Sequence, residues 1–123
     1  MKKTPNSVDT KVLAFDVFGT VVDWHSSIKR EVLAVNPSVD ADAFALAWRA
    51  GYAPAMRRVM SGELGWTLID DLHRIILDDI LVTFGMTDLS ETQRQHLNLA
   101  WHRLDAWPDV VSGLTRLKSK YTI

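Results

Sequence analysis

Val12-Leu13-Ala14-Phe15-Asp16-Val17-Phe18-Gly19-Thr20-Val21-Val22 is the stretch on which the reading of this 123-residue chain turns. Lys11 to Phe15 is a short, mostly apolar run that meets a carboxylate and then a glycine, the pattern of a buried strand ending in a turn. In open α/β sheets ligands bind beyond the carboxyl ends of strands, so Asp16 stands where chemistry is carried out. An aspartate side chain is ordinarily ionised at neutral pH and can attack as an oxygen nucleophile without an assisting base. Gly19 allows a tight turn and a close approach of backbone to ligand, and Thr20 offers a hydroxyl and an N–H to hold a carboxylate or oxyanion. The same spacing also suits an aspartate that merely caps the turn.

Outward from this stretch the pattern is helical. Ser26 or Ser27 caps a helix to about Val35, closed by Asn36-Pro37, and Asp40 caps the next, with a stripe of Phe44, Trp48, Tyr52, Ala55 and Val59. Gly51 and Pro54 predict a kink or break in it. Ser61 to Trp66 reads as a loop. Thr67 with Asp70 opens a third helix carrying Leu68, Leu72, Ile75, Ile76 and Ile80 before Gly85, and Ser90 with Gln93 forms a capping box for a fourth, with Leu97, Ala100, Trp101 and Leu104 inward. After the connector Trp107-Pro108-Asp109, a fifth helix turns Val110, Val111, Leu114 and Leu117 inward, and Tyr121-Thr122-Ile123 opens a second strand. A strand and a half makes no sheet, so further strands are expected beyond this chain or from another one. The alternative is a helical bundle with an odd leading strand.

Composition narrows the classes. With 47% hydrophobic and 24% charged residues, the chain has the balance of a soluble globular protein. A net charge of −1 with interspersed signs offers no basic face for nucleic acid. The absence of cysteine removes disulfides, thiolate metal sites and a cysteine nucleophile, and suits a reducing compartment. The start MKKTPNSVDTK has no apolar h-region, and no run approaches the roughly 20 apolar residues of a membrane span, so a cytoplasmic location without membrane association is the expectation. His73, His96 and His102 lack metal-ligand spacing, His25 reads as a helix-start or linker residue although it could approach Asp16, and Asp70-Asp71 with Asp78-Asp79 read as the wet face of a helix.

The stretch VLAFDVFGTVV closely resembles the first motif of the haloacid dehalogenase superfamily, a hydrophobic strand followed by D-x-x-G-T. The resemblance implies an α/β fold: a doubly wound, parallel, Rossmann-like core, of which only the first strand and the start of the second are present, with an inserted helical cap. Residues 1–23 would be the first core strand and nucleophile loop, 24–105 the cap, and 106–123 the truncated return to the core. Phosphatases of the superfamily carry D-x-D-G-T, whose second aspartate protonates the leaving alkoxide. Here that position is Phe18, which donates no proton, and a general acid is typically worth about 10²–10⁴-fold to a poor oxygen leaving group. A halide leaves as a stable anion, and an aromatic at this position resembles the L-2-haloacid dehalogenases.

Ala45-Leu46-Ala47-Trp48-Arg49 is similar to the cap segment of the same enzymes, in which the arginine after an aromatic points into the site. Arg49, permanently charged with a planar fork of donors, suits a departing halide or an anionic substrate. The resemblance thus implies Asp16, Thr20 and Arg49 as catalytic, and Val17, Phe18, Gly19, Ala50, Ala53 and Trp66 as substrate-binding, with no metal and no cofactor. It implies attack of Asp16 on a short 2-haloalkanoate, an aspartyl ester, and hydrolysis by water. The family draws further residues from later core loops, so the chain is expected to be an amino-terminal half, inactive and poorly stable alone, of an enzyme that as a whole is expected to form a homodimer. Two other readings stand beside this one: a phosphatase or phosphonate hydrolase of the superfamily, which Phe18 disfavours, and a non-catalytic helical module that binds a partner.

Overall fold

A computed structural model describes residues 9–123, so most of the polar stretch read against a secretory signal lies outside the described residues. The chain divides into two compact units, one combining the residues up to Asp23 with Ala106–Ile123, the other Trp24–Asp105. Along the chain come β1 (Val22–Asp23), α1 (Trp24–Val35), α2 (Ala41–Ala50), α3 (Tyr52–Met60), α4 (Ile69–Thr83), α5 (Glu91–Asn98) continuing into a 3₁₀ turn (Leu99–His102), β2 (Asp105–Ala106) and α6 (Val110–Lys118). β1 and β2 pair as a two-stranded sheet. No helix among the described residues is long and apolar enough to cross a membrane.

The helical unit is built by apolar side chains at helical spacing. Ile28, Val32, Phe44, Trp48, Leu72, Leu77, Leu81 and Leu97 are each at most 1% exposed. Burial of side chains of this size stabilises by about 1.5–3 kcal/mol apiece relative to exposure. The Asp40 cap forms, its carboxylate accepting the Ala43 N–H at 3.0 Å, and so does the Ser90–Gln93 capping box. The expected interruption falls at Gly51, where a Cβ would meet Ile76 Cγ2 of α4 at 2.4 Å. Pro54 then sits in the first turn of α3, where its missing N–H breaks no intrahelical bond.

Several sequence expectations need correction here. α1 starts at Trp24 rather than after a serine cap, and the buried Ser27 hydroxyl instead accepts the Asp105 N–H at 2.9 Å. Thr67 does not cap α4: its hydroxyl donates to the Gly65 carbonyl at 2.7 Å, and Leu68 holds the cap position. The inward face of α4 is rotated, with Leu72, His73, Ile76, Leu77 and Leu81 buried while Leu68 is exposed. The acidic pairs of α4 are not simply solvated, because Asp78 accepts from both Arg74 and Arg94 at 3.0 Å and Asp70 pairs with His102 at 2.8 Å.

In the other unit the expected buried strand over residues 11–15 does not form. A ladder requires partners, and among the described residues Val12 makes one parallel bridge, to Thr122, with Leu13 N donating to Thr122 O at 2.8 Å and Thr122 N to Lys11 O at 2.9 Å. Val12 is 64% exposed and Phe15 is exposed as well. α6 has no fully buried residue: Val110, Leu114 and Leu117 are half-buried, while Val111, expected inward, faces solvent. Phe15, Thr20 and Val21 line a hollow of about 190 Å³ with Asp109, Val110, Gly113, Leu114 and Leu117.

Candidate functional site

Asp16 and Thr20 lie together in the loop that leads into β1. Thr20 Oγ1 donates to Asp16 Oδ2 at 2.8 Å, and among the described residues Oδ1 has no further partner. The loop holds this pair through one acceptor, the Val17 carbonyl, which takes N–H groups from Thr20, Val21 and Val22 at 3.2, 2.9 and 3.1 Å, while Gly19 N returns to Val22 O at 2.9 Å. Gly19 has φ of 89°, a left-handed conformation that a side chain would strain. Asp16, Val17 and Phe18 are all exposed within this unit.

Trp107 braces the same loop, a role the sequence reading missed. Its indole Nε1 donates to the Gly19 carbonyl at 3.0 Å and its backbone N–H to Val21 O at 3.1 Å. The only sequence signal is chemical: a tryptophan carries a donor that ordinarily finds an acceptor. Which acceptor it finds depends on tertiary structure.

The remaining expected site residues belong to the helical unit. Arg49 is the penultimate residue of α2, where a cation suits the helix dipole, and its guanidinium carbon lies 5.3 Å from the centre of the Tyr52 ring. Ala50 and Ala53 are exposed beside it, and Trp66 is 86% exposed in the loop after α3. The structure therefore groups Asp16, Val17, Phe18, Gly19 and Thr20 in one unit and Arg49, Ala50, Ala53 and Trp66 in the other.

Trp48, the residue before Arg49, belongs to a buried aromatic layer with His73 and Trp101. Trp48 Nε1 donates to the His73 carbonyl at 3.0 Å, and the His73 ring stacks on Trp101 with centroids 4.8 Å apart. Burial pushes the His73 imidazole down to about 4; Asp70 opposes the shift, and His102 and Arg49 add to it. Its Nδ1 is buried without a hydrogen-bond partner among the described residues. His25 pairs with Asp42 at 3.0 Å. Among the described residues no group of three or more histidine, aspartate or glutamate side chains is arranged to hold a metal ion.

Comparison with known proteins bears on the assembly of these residues. No family model matches the chain. An (S)-2-haloacid dehalogenase 4A of Burkholderia cepacia is 29% identical over 112 residues, covering 89% of this chain and 46% of that protein. The crystal structure of a defluorinating L-2-haloacid dehalogenase superposes with a TM-score of 0.83 at 41% identity, over 92% of this chain and 49% of that one. The chain resembles the L-2-haloacid dehalogenases of the haloacid dehalogenase superfamily. A second L-2-haloacid dehalogenase structure gives a TM-score of 0.82 at 38% identity, again over 92% of this chain and 49% of that one. The chain spans about half the length of the dehalogenases it matches. Its mostly helical α/β architecture with a short two-stranded sheet corresponds to part of the haloacid-dehalogenase-like fold.

Proposed function

We propose that the whole protein hydrolyses short 2-haloalkanoic acids, with Asp16 as nucleophile. The observation that carries this reading is the Thr20 hydroxyl on Asp16 Oδ2 at 2.8 Å beside Phe18, a residue with no proton to give. One carboxylate oxygen held by a hydroxyl and the other open is an arrangement suited to attack on carbon. In the first step an Asp16 oxygen forms a bond to the halogen-bearing carbon as the carbon–halogen bond breaks. The halide departs with the electron pair, inverting the carbon, and Arg49 stabilises the anion. In the second step water adds to the ester carbonyl of Asp16, releasing a 2-hydroxy acid and a proton and restoring the carboxylate. Neither step calls for a metal.

Within this reading Val17, Phe18, Gly19, Ala50, Ala53 and Trp66 line the substrate site of a cytoplasmic, homodimeric enzyme. The 123-residue chain alone is expected to release no halide, because the resemblance assigns the positioning of hydrolytic water to residues outside it. The test is made on protein expressed from the complete reading frame: chloride release from (S)-2-chloropropionate without added Mg²⁺, abolished by Asp16→Asn. Mg²⁺-dependent cleavage of p-nitrophenyl phosphate with no halide release would replace this reading by a phosphatase.

A further inference from the structure

We infer that Tyr52 is a positioning residue for Arg49, orienting its guanidinium through the face of the phenol ring while leaving it without a countercharge. The inference rests on the proposed role of Arg49 as the group that receives the halide or the substrate carboxylate.

An exposed arginine has a long side chain with much rotamer freedom, and a group that receives an anion in a fixed place must be held there. A carboxylate could hold it, but would occupy its donors and cancel its charge. Among the described residues no carboxylate forms an ion pair with Arg49, whereas Arg30, Arg58, Arg74, Arg94 and Arg103 all have acidic partners. What Arg49 has is Tyr52, with its guanidinium carbon 5.3 Å from the ring centre, inside the roughly 6 Å reach of a cation–π contact. A ring face attracts the cation through its quadrupole and leaves the donors open to an anionic ligand.

The backbone fixes both partners. Arg49 follows Trp48, which is 1% exposed and hydrogen-bonded to the His73 carbonyl of α4 at 3.0 Å. Tyr52 is half-buried at the first position of α3, immediately after Gly51, whose backbone lies so close to Ile76 of α4 that a Cβ there would stand 2.4 Å from Cγ2. Both residues are thus carried by segments anchored on the same helix.

The test places phenylalanine, then phenylalanines of increasing ring fluorination, at position 52 of the protein expressed from its complete reading frame. Fluorination drains the negative face of the ring and nearly preserves its shape, so a purely packing role would not respond to it. Tyr52→Phe should retain kcat/KM for (S)-2-chloropropionate. Successive fluorination should lower it stepwise by about two- to fivefold in all, and Tyr52→Leu should match the lowest value. If Tyr52→Leu does not fold, the fluorinated series decides alone. A flat series alongside a large loss for Arg49→Ala would overturn the positioning role and leave the parent reading standing. Unchanged halide release in Arg49→Ala would overturn both.

Discussion

Thr20 Oγ1 donates to Asp16 Oδ2 across four residues of an exposed loop, at 2.8 Å, and Gly19 between them takes a φ of 89° to make that approach. A hydroxyl on an ionised carboxylate fixes which oxygen faces outward and stabilises its charge. Thr20→Val should therefore lower the rate of halide release by about 10- to 100-fold, the equivalent of one hydrogen bond to a charged group, while Thr20→Ser keeps most of it. Steady-state kinetics on the protein from the complete reading frame measures this.

Trp107 offers an independent probe of the same loop. Trp107→Phe removes the indole donor from the Gly19 carbonyl and keeps most of the ring. It should reduce kcat by several-fold through loss of loop order, with little effect on the far-ultraviolet circular dichroism to which the helices contribute. A wild-type kcat in this variant would show that the brace is irrelevant to catalysis.

The Gly51–Ile76 contact predicts a compensating pair. Gly51→Ala places a methyl 2.4 Å from Ile76 Cγ2, a branch too close to its own Cβ to swing away, and should destabilise by about 1–3 kcal/mol. Adding Ile76→Ala should cost less than the two single changes summed, because the second opens the space that the first needs. Urea unfolding of the four proteins gives the coupling.

Legibility in the sequence followed the range of each interaction. Caps read locally were found where they act locally, as at Asp40 and Ser90, and the D-x-x-G-T loop was visible because Gly19 and Thr20 act within four residues of Asp16. Over residues 11–15 only Val12 finds a strand partner among the described residues, and a strand shows itself only through its partners. Thr67 looked like a cap and was taken by a nearer carbonyl. Tyr52 under Arg49 was legible only as a stripe residue, and Trp107 on Gly19 not at all, since the first needs side-chain direction and the second the return of a distant segment.

His73 predicts how stability follows acidity. Burial, with His102 and Arg49, pushes its folded value down to about 4 against Asp70, from an ordinary value near 6.5. The unfolded chain thus takes up the proton first, so this histidine's contribution is complete above pH 6.5 and declines as pH falls toward about 4, by about 3 kcal/mol in all. Glu31, held low chiefly by Arg103, and Glu91, held at about 2 by Arg74, add their own losses only as pH falls through and below the ordinary carboxylate range. Between about pH 4.5 and 6.5 the slope belongs to His73 among these three groups. His73→Leu should flatten the dependence of the urea midpoint over that interval, and an unchanged slope would contradict the assignment.

The most direct measurement is a single turnover of the protein from the complete reading frame in H₂¹⁸O with excess enzyme, followed by mass spectrometry of its peptides and product. Nucleophilic attack by Asp16 predicts ¹⁸O in the Asp16 carboxylate and unlabelled oxygen in the 2-hydroxy acid of that first turnover. Label in the hydroxy acid with none in Asp16 would mean that water attacks the substrate directly, and would contradict Asp16 as the nucleophile.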